Sequence, residues 1–186
     1  ASHQDADSRL LDEARRLAVD DPVAALRQLA GRLQERTAPT TLHQFYRELL
    51  HRQGLRDDLL VHGQIWIAAL IAQGEPRRAL GVLQECGSID NGFVPDDPRT
   101  CGELADLAAR LGMSRLAIQL CRGYLAHWPR DPQAPHYGLL AARQLAAHAD
   151  QHAEATALLD RLAAEWPDHP QRAEIDAQRR QLASPA

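Results

Sequence analysis

The sequence has no lysine: all 21 of its basic side chains are arginine, set against 25 aspartates and glutamates. With a formal charge of −4 the chain offers no broad basic face, and nucleic acid is not an expected partner. The arginine bias is that of a GC-rich bacterial genome. Aromatic residues make up only 4% of the chain, and there is a single asparagine, Asn91. The three cysteines, Cys86, Cys101 and Cys121, lack the paired spacing of a zinc site or a disulfide framework. No apolar run approaches the roughly 20 residues of a membrane span; the longest, Ile65 to Ala72, is far shorter. No stretch shows the β-branched alternation of a strand. Gly-x-Ser-x-Gly, a phosphate-cradling glycine loop and His-Glu-x-x-His are all missing. The expectation is therefore a non-enzymatic protein with no catalytic residues, no metal site and no cofactor. No charged-then-apolar leader is present, and the chain opens Ala1-Ser2-His3 without methionine. That reads as a soluble segment, cytoplasmic rather than periplasmic, and compatible with a piece of a longer, membrane-anchored parent.

What is present is alanine, leucine and helical periodicity, with 45% hydrophobic content, enough to bury a core. Leu10, Leu11, Ala14, Leu17 and Ala18 define a first amphipathic helix over Ser8 to Val19. Asp20-Asp21-Pro22 caps a second, reaching about Gln34. Thr40 or Thr41 caps a third that closes at Gly54, and Asp57-Asp58 opens a fourth that stops at Gly74. Glu75-Pro76 opens a fifth, to about Cys86. Gly87 to Pro98, with Gly87-Ser88, Asn91-Gly92, Pro95 and Asp97-Pro98, reads as a long loop. Helices over Arg99 to Arg110, Ser114 to Trp128, Gln133 to His148, Gln151 to Trp166 and Asp168 to Leu182 complete about ten.

One phrase occurs twice. Trp128-Pro129 and Trp166-Pro167 stand 38 residues apart, and so do Ala117 and Ala155, with Ala79 another 38 before. Gly74, Gly112 and Asp150 precede these alanines at the turn between two helices. Leu83, Cys121 and Leu159 follow one helical turn later on the same face. In the preceding helix Trp66, Leu104 and Ala142 align, as do Leu70, Ala108 and Ala146. A fixed period built of helical sequence marks a stacked helix-hairpin repeat.

These residues resemble the tetratricopeptide repeat family: a large residue and a leucine early in helix A, a small residue at the turn, an alanine early in helix B and a closing proline. The family period is 34; here the connections are longer. The early tryptophan position holds Gly63, Cys101 and Leu139, and the small position of helix A holds Ile67, Ala105 and Arg143, so the pattern is partial. The resemblance covers about residues 60 to 182. It implies an all-α, right-handed solenoid of antiparallel helix hairpins, with irregular N-terminal helices over residues 1–58. Repeats then follow over 59–186, closed by a polar capping helix.

It also implies a partner-binding groove lined by the A helices. Carried over by position, the groove presents Gln64 and Ala68, then Asp106 and Arg110, then Tyr137, Gln144 and His148. The family's clamp for C-terminal carboxylates uses lysine and asparagine; here those positions carry Gln64 and Ala68, or Arg99 and Glu103, so chaperone tails are not expected. The resemblance thus points to a scaffold that holds a segment of a protein partner. Self-association, docking within a longer chain, and a ligand-sensing helical-repeat domain are the alternatives. His148 and His152 have a metal-compatible spacing, but they straddle a turn and lack a third ligand. Asp57-Asp58 and Asp96-Asp97 read as helix caps, the tryptophans as wedges or core, and the cysteines as core residues. A Cys86–Cys101 bridge is the alternative in an oxidising compartment.

Overall fold

The computed structural model describes residues 2–184. Among them are ten α-helices, one 3-10 turn and no strand, so the chain is all-α. The helices are α1 (His3–Asp20), α2 (Pro22–Leu33), α3 (Thr40–Arg52), α4 (Arg56–Ala72), α5 (Pro76–Ile89), α6 (Pro98–Arg110), α7 (Ser114–His127), α8 (Ala134–Ala146), α9 (His152–Glu165) and α10 (Arg172–Ala183).

Their ends follow from local chemistry. Ser2 and Asp5 form a reciprocal capping box, which starts α1 at His3, ahead of the expected Ser8. Asp21 and Asp97 accept the amides of Ala24 and Thr100, each just before a proline. Helix α3 starts at Thr40 with Pro39 at its cap position and no side-chain cap. Three helices leave through glycines in the left-handed region, Gly54, Gly74 and Gly112, at φ of 67°, 74° and 73°. In each, the next residue's amide reaches back five residues: Leu55 to Leu50, Glu75 to Leu70 and Met113 to Ala108, at 3.0, 2.8 and 2.9 Å. This closes the last turn and lets the chain reverse.

The long loop is shorter than expected. Helix α5 continues through Gly87-Ser88 to Ile89, because the Ser88 hydroxyl donates to the Glu85 carbonyl at 2.6 Å and is satisfied inside the helix. Helix α10 starts at Arg172, not Asp168. The segment from Pro167 to Gln171 instead makes turns, with the Gln171 amide donating to His169 Nδ1.

The chain divides into two compact units, residues 1–95 and 96–186. This division falls inside the loop, so α4 and α5 belong with the N-terminal helices. In the first unit α1 pairs with α2 and α4 with α5, while α3 packs against α1, α2 and α4. Leu26, Leu29, Leu42, Leu49 and Leu59 share one core there. Helix α4 buries residues over more than half of its circumference, from Leu59 to Ile71, and Val61 continues the apolar surface at 61% exposure. In the second unit α6 pairs with α7 and α8 with α9, and α10 packs on α9 and α8. Trp166 lies against the Leu139, Leu159 and Ile175 core of these last helices.

The positions 38 apart share environments. Ala79, Ala117 and Ala155 are all fully buried, and so are Leu104 and Ala142, with Trp66 at 6%. Trp128 and Trp166 cap their helices with nearly the same backbone, φ/ψ of −130°/57° and −127°/59°.

Candidate functional site

In the second unit, α8 contacts both α6 and α10, so the three form a row. Asp106 on α6 accepts a hydrogen bond from the Tyr137 hydroxyl at 3.2 Å and lies 3.2 Å from His136 Nε2 on α8. Gln171, just before α10, donates to His136 Nδ1 at 3.4 Å. His136 Nδ1 is thus the acceptor, which places the ring proton on Nε2, facing Asp106. The result is a polar line, Asp106–His136–Gln171, running across the three helices. Tyr137 closes it from below. Its ring is 9% exposed and packs on Tyr124 at 4.4 Å. A Cβ on Gly102 would meet the Tyr137 hydroxyl at 2.2 Å, so α6 and α8 approach this closely only because residue 102 is glycine. Burial first, then the charge of Asp106, raises the Tyr137 phenol well above its ordinary range.

Of the residues expected in the groove, Asp106 and Tyr137 are thus brought into contact. Gln144 is turned to Ser114, whose hydroxyl donates to it at 2.9 Å. Arg110 is exposed at the end of α6. His148 is exposed and lines a separate open cleft of about 650 Å³ with Gly112, Ser114, Ile118 and Asp150. Gln64 belongs to the first unit, where it donates to the Val94 carbonyl at 2.9 Å and holds the loop onto α4. His152 does not join His148: its Nε2 lies 2.8 Å from the Ala146 carbonyl, closing the end of α8. Among the described residues no three His, Cys, Asp or Glu side chains gather as metal ligands, and no helix is long and apolar enough to cross a membrane. All three cysteines are free and buried.

The first unit holds a polar cluster that the sequence reading passed over. His43, Arg47 and His51 are spaced four apart on α3, His62 and Trp66 four apart on α4, and Glu85 stands on α5. His43, Arg47 and His62 are 1%, 4% and 2% exposed. Arg47 Nη1 donates to the Leu59 carbonyl at 2.9 Å and contacts His62 Nδ1 at 3.2 Å. Its Nε and Nη2 donate to Glu85 at 3.2 and 2.9 Å, and His51 meets the same carboxylate oxygen at 2.9 Å.

Arginine has only donors, which fixes the tautomers. His62 Nδ1 must accept from Arg47, so its proton is on Nε2, and that N–H donates to His43 Nδ1 at 2.9 Å. The His43 proton is then on Nε2, a buried donor with no acceptor among the described residues. Burial and the neighbouring cations hold His43 down to about 4 and His62 to about 2. Burial alone would raise Glu85, but hydrogen bonds from His51 and Arg47 leave it below the usual carboxylate range. Trp66 stacks flat on His43 at 5.2 Å and forms part of a cleft of about 610 Å³ between α3 and α5. A polar stripe spaced four apart inside an amphipathic helix was the available signal for this cluster.

Compared with known protein families, with curated proteins and with solved structures, the chain matches none.

Proposed function

We propose that the chain is a non-enzymatic interaction module, built of tetratricopeptide-like hairpins, that holds a segment of a protein partner. The observation that carries this reading is the row of α6, α8 and α10 with its polar line. Asp106 and His136 side chains are 32% and 38% exposed, partly open to a partner yet held by one another and by Tyr137 and Gln171. Groups already fixed in place lose little freedom on binding. Arg110 lies one turn beyond Asp106 and adds a cation to the same face.

A photo-crosslinking residue at Arg110, compared with one at the exposed Arg161 of α9, tests this in cells. The expected result is an adduct with another polypeptide from position 110, abolished by Asp106→Arg, and none from 161. Equal adducts at both positions, or none at 110, would reject the assignment.

A further inference from the structure

Seven carboxylates lie inside the α-helices of the second unit: Glu103, Asp106, Glu154, Asp160, Glu165, Glu174 and Asp176. Six of them meet an arginine of the same unit, in the pairs Arg99–Glu103, Arg122–Glu154, Arg179–Asp160, Arg161–Glu165, Arg143–Glu174 and Arg172–Asp176. Asp106 is the exception among the described residues. Its hydrogen bonds come from neutral donors, His136 Nε2 on Oδ1 and the Tyr137 hydroxyl on Oδ2. Arg110 stands four residues on, a spacing at which helical ion pairs form, yet no ion pair joins the two among the described residues.

The setting of Asp106 is built into the packing. Both of its oxygens are tied to α8, and α8 comes this close only because residue 102 is glycine. A carboxylate has about four lone-pair sites, and the bonds to His136 and Tyr137 occupy one on each oxygen. The side chain is 32% exposed, so the second site on each oxygen can be reached from solvent. Two acceptors side by side on a fixed carboxylate match the fork of a guanidinium, which binds such groups through parallel N–H bonds. A carboxylate held by neutral groups, in a unit whose other helical carboxylates all have arginines, calls for a cation from outside the chain.

We propose that this cation is an arginine side chain of the partner segment, its guanidinium set on the outer side of the Asp106 carboxylate. The proposal rests on the reading of the α6–α8–α10 row as a partner-binding face and names the chemistry that the face selects.

The test is selection of a displayed library of random dodecapeptides against the whole protein. Enriched peptides are expected to share an arginine. Replacing it by citrulline, which keeps the shape and removes the charge, should weaken binding to the wild type about tenfold or more. Against Asp106→Asn the same replacement should cost under about twofold, the signature of two coupled groups. Asp106→Asn keeps the local bonds: its amide oxygen accepts from Tyr137, and its amide nitrogen donates to His136 once the ring proton moves to Nδ1 and the Gln171 amide turns to accept it. Its melting temperature should therefore stay close to that of the wild type. Glu165→Gln, which removes a carboxylate paired along α9, should bind the same peptides unchanged. A consensus without arginine, or an equal citrulline effect in wild type and Asp106→Asn, overturns the proposal. If such peptides still crosslink from position 110 and are lost in Asp106→Arg, the row remains the binding face and only its arginine is rejected. Peptides indifferent to Asp106→Arg count against the row as well, as does the absence of any enrichment. Displacement by free agmatine as effective as by an arginine peptide would assign the carboxylate to small cations, which also overturns the proposal.

Discussion

Acidification should unfold the first unit through two side chains, His43 and His62. Both are neutral in the folded state, with values of about 4 and about 2 against roughly 6.5 in an unfolded chain. Below pH 6.5 the unfolded state takes up protons that the folded state refuses, so stability is present above that point and falls as pH drops. The charges around the pair deepen the effect. Arg47 touches His62, Arg32 adds a second cation near His43, and the Glu85 carboxylate is already bound to Arg47 and His51. At pH 5 each histidine removes about 2 kcal/mol, from 1.5 units at about 1.36 kcal/mol per unit, and this holds for any folded value below 5. Two together remove about 4 kcal/mol, a large share of the roughly 5–15 kcal/mol of a typical domain. Urea unfolding at pH 7.5, 6 and 5 measures the loss. Trp66 serves as the reporter once Trp128 and Trp166 are replaced by phenylalanine. In His62→Gln the amide oxygen can accept from Arg47 and the amide nitrogen donate to His43, so about half of the pH dependence should disappear. An equal fall in wild type and His62→Gln, or a wild-type loss under about 1 kcal/mol, would refute the buried neutral pair.

Three further outcomes are expected. A Cβ at Gly63 would sit 2.4 Å from Cys86 Sγ, so Gly63→Ala should destabilise by about 1–3 kcal/mol. Adding Cys86→Ala should recover part of this, and strict additivity in a double-mutant cycle would contradict the contact. The chain's three tyrosines, Tyr46, Tyr124 and Tyr137, all have phenols raised by burial, with hydrogen bonds to Asp131 and Asp106 holding the last two. Absorbance at the tyrosinate band should stay flat past pH 10 and rise with alkaline unfolding; three tyrosinates in folded protein at pH 10 would count against it. Burial pushes the Cys101 thiol up to about 12 and raises Cys121 and Cys86. Ellman's reagent should therefore react slowly with native protein and with three thiols after denaturation, and fast native reaction at any one would contradict its burial.

The helices were largely legible because their signals are local. Asp21-Pro22, Asp97-Pro98 and the glycines at 54, 74 and 112 end or begin elements by satisfying groups within one turn. Where a neighbouring contact outweighs propensity, reading fails. Gly87-Ser88 looks like a loop but stays helical with its hydroxyl on the Glu85 carbonyl, and Gln64 turns from an open face to the Val94 carbonyl. The buried cluster is the larger omission. His43, Arg47 and His51 show in the sequence only as a stripe spaced four apart, and nothing within α3 itself tells that His62 and Glu85 will meet them from α4 and α5. Asp106 and Tyr137, both expected along the A helices, touch one another; their mutual bond depends on Gly102, a residue with no chemistry of its own.

The apolar breadth of α4 has a consequence for synthesis. Helix α4 buries more than half of its circumference; α3 can cover one side of it, but the side that packs on α5 stays open until α5, which begins only at Pro76, has left the ribosome. At about 5–20 residues per second, α4 emerges complete and waits roughly a second for its partner. During that interval the α5-facing side of α4 is open to misassembly and to chaperone capture. The three-residue turn Gln73-Gly74-Glu75, closed by the backbone bond from Glu75 to Leu70, keeps that exposure short.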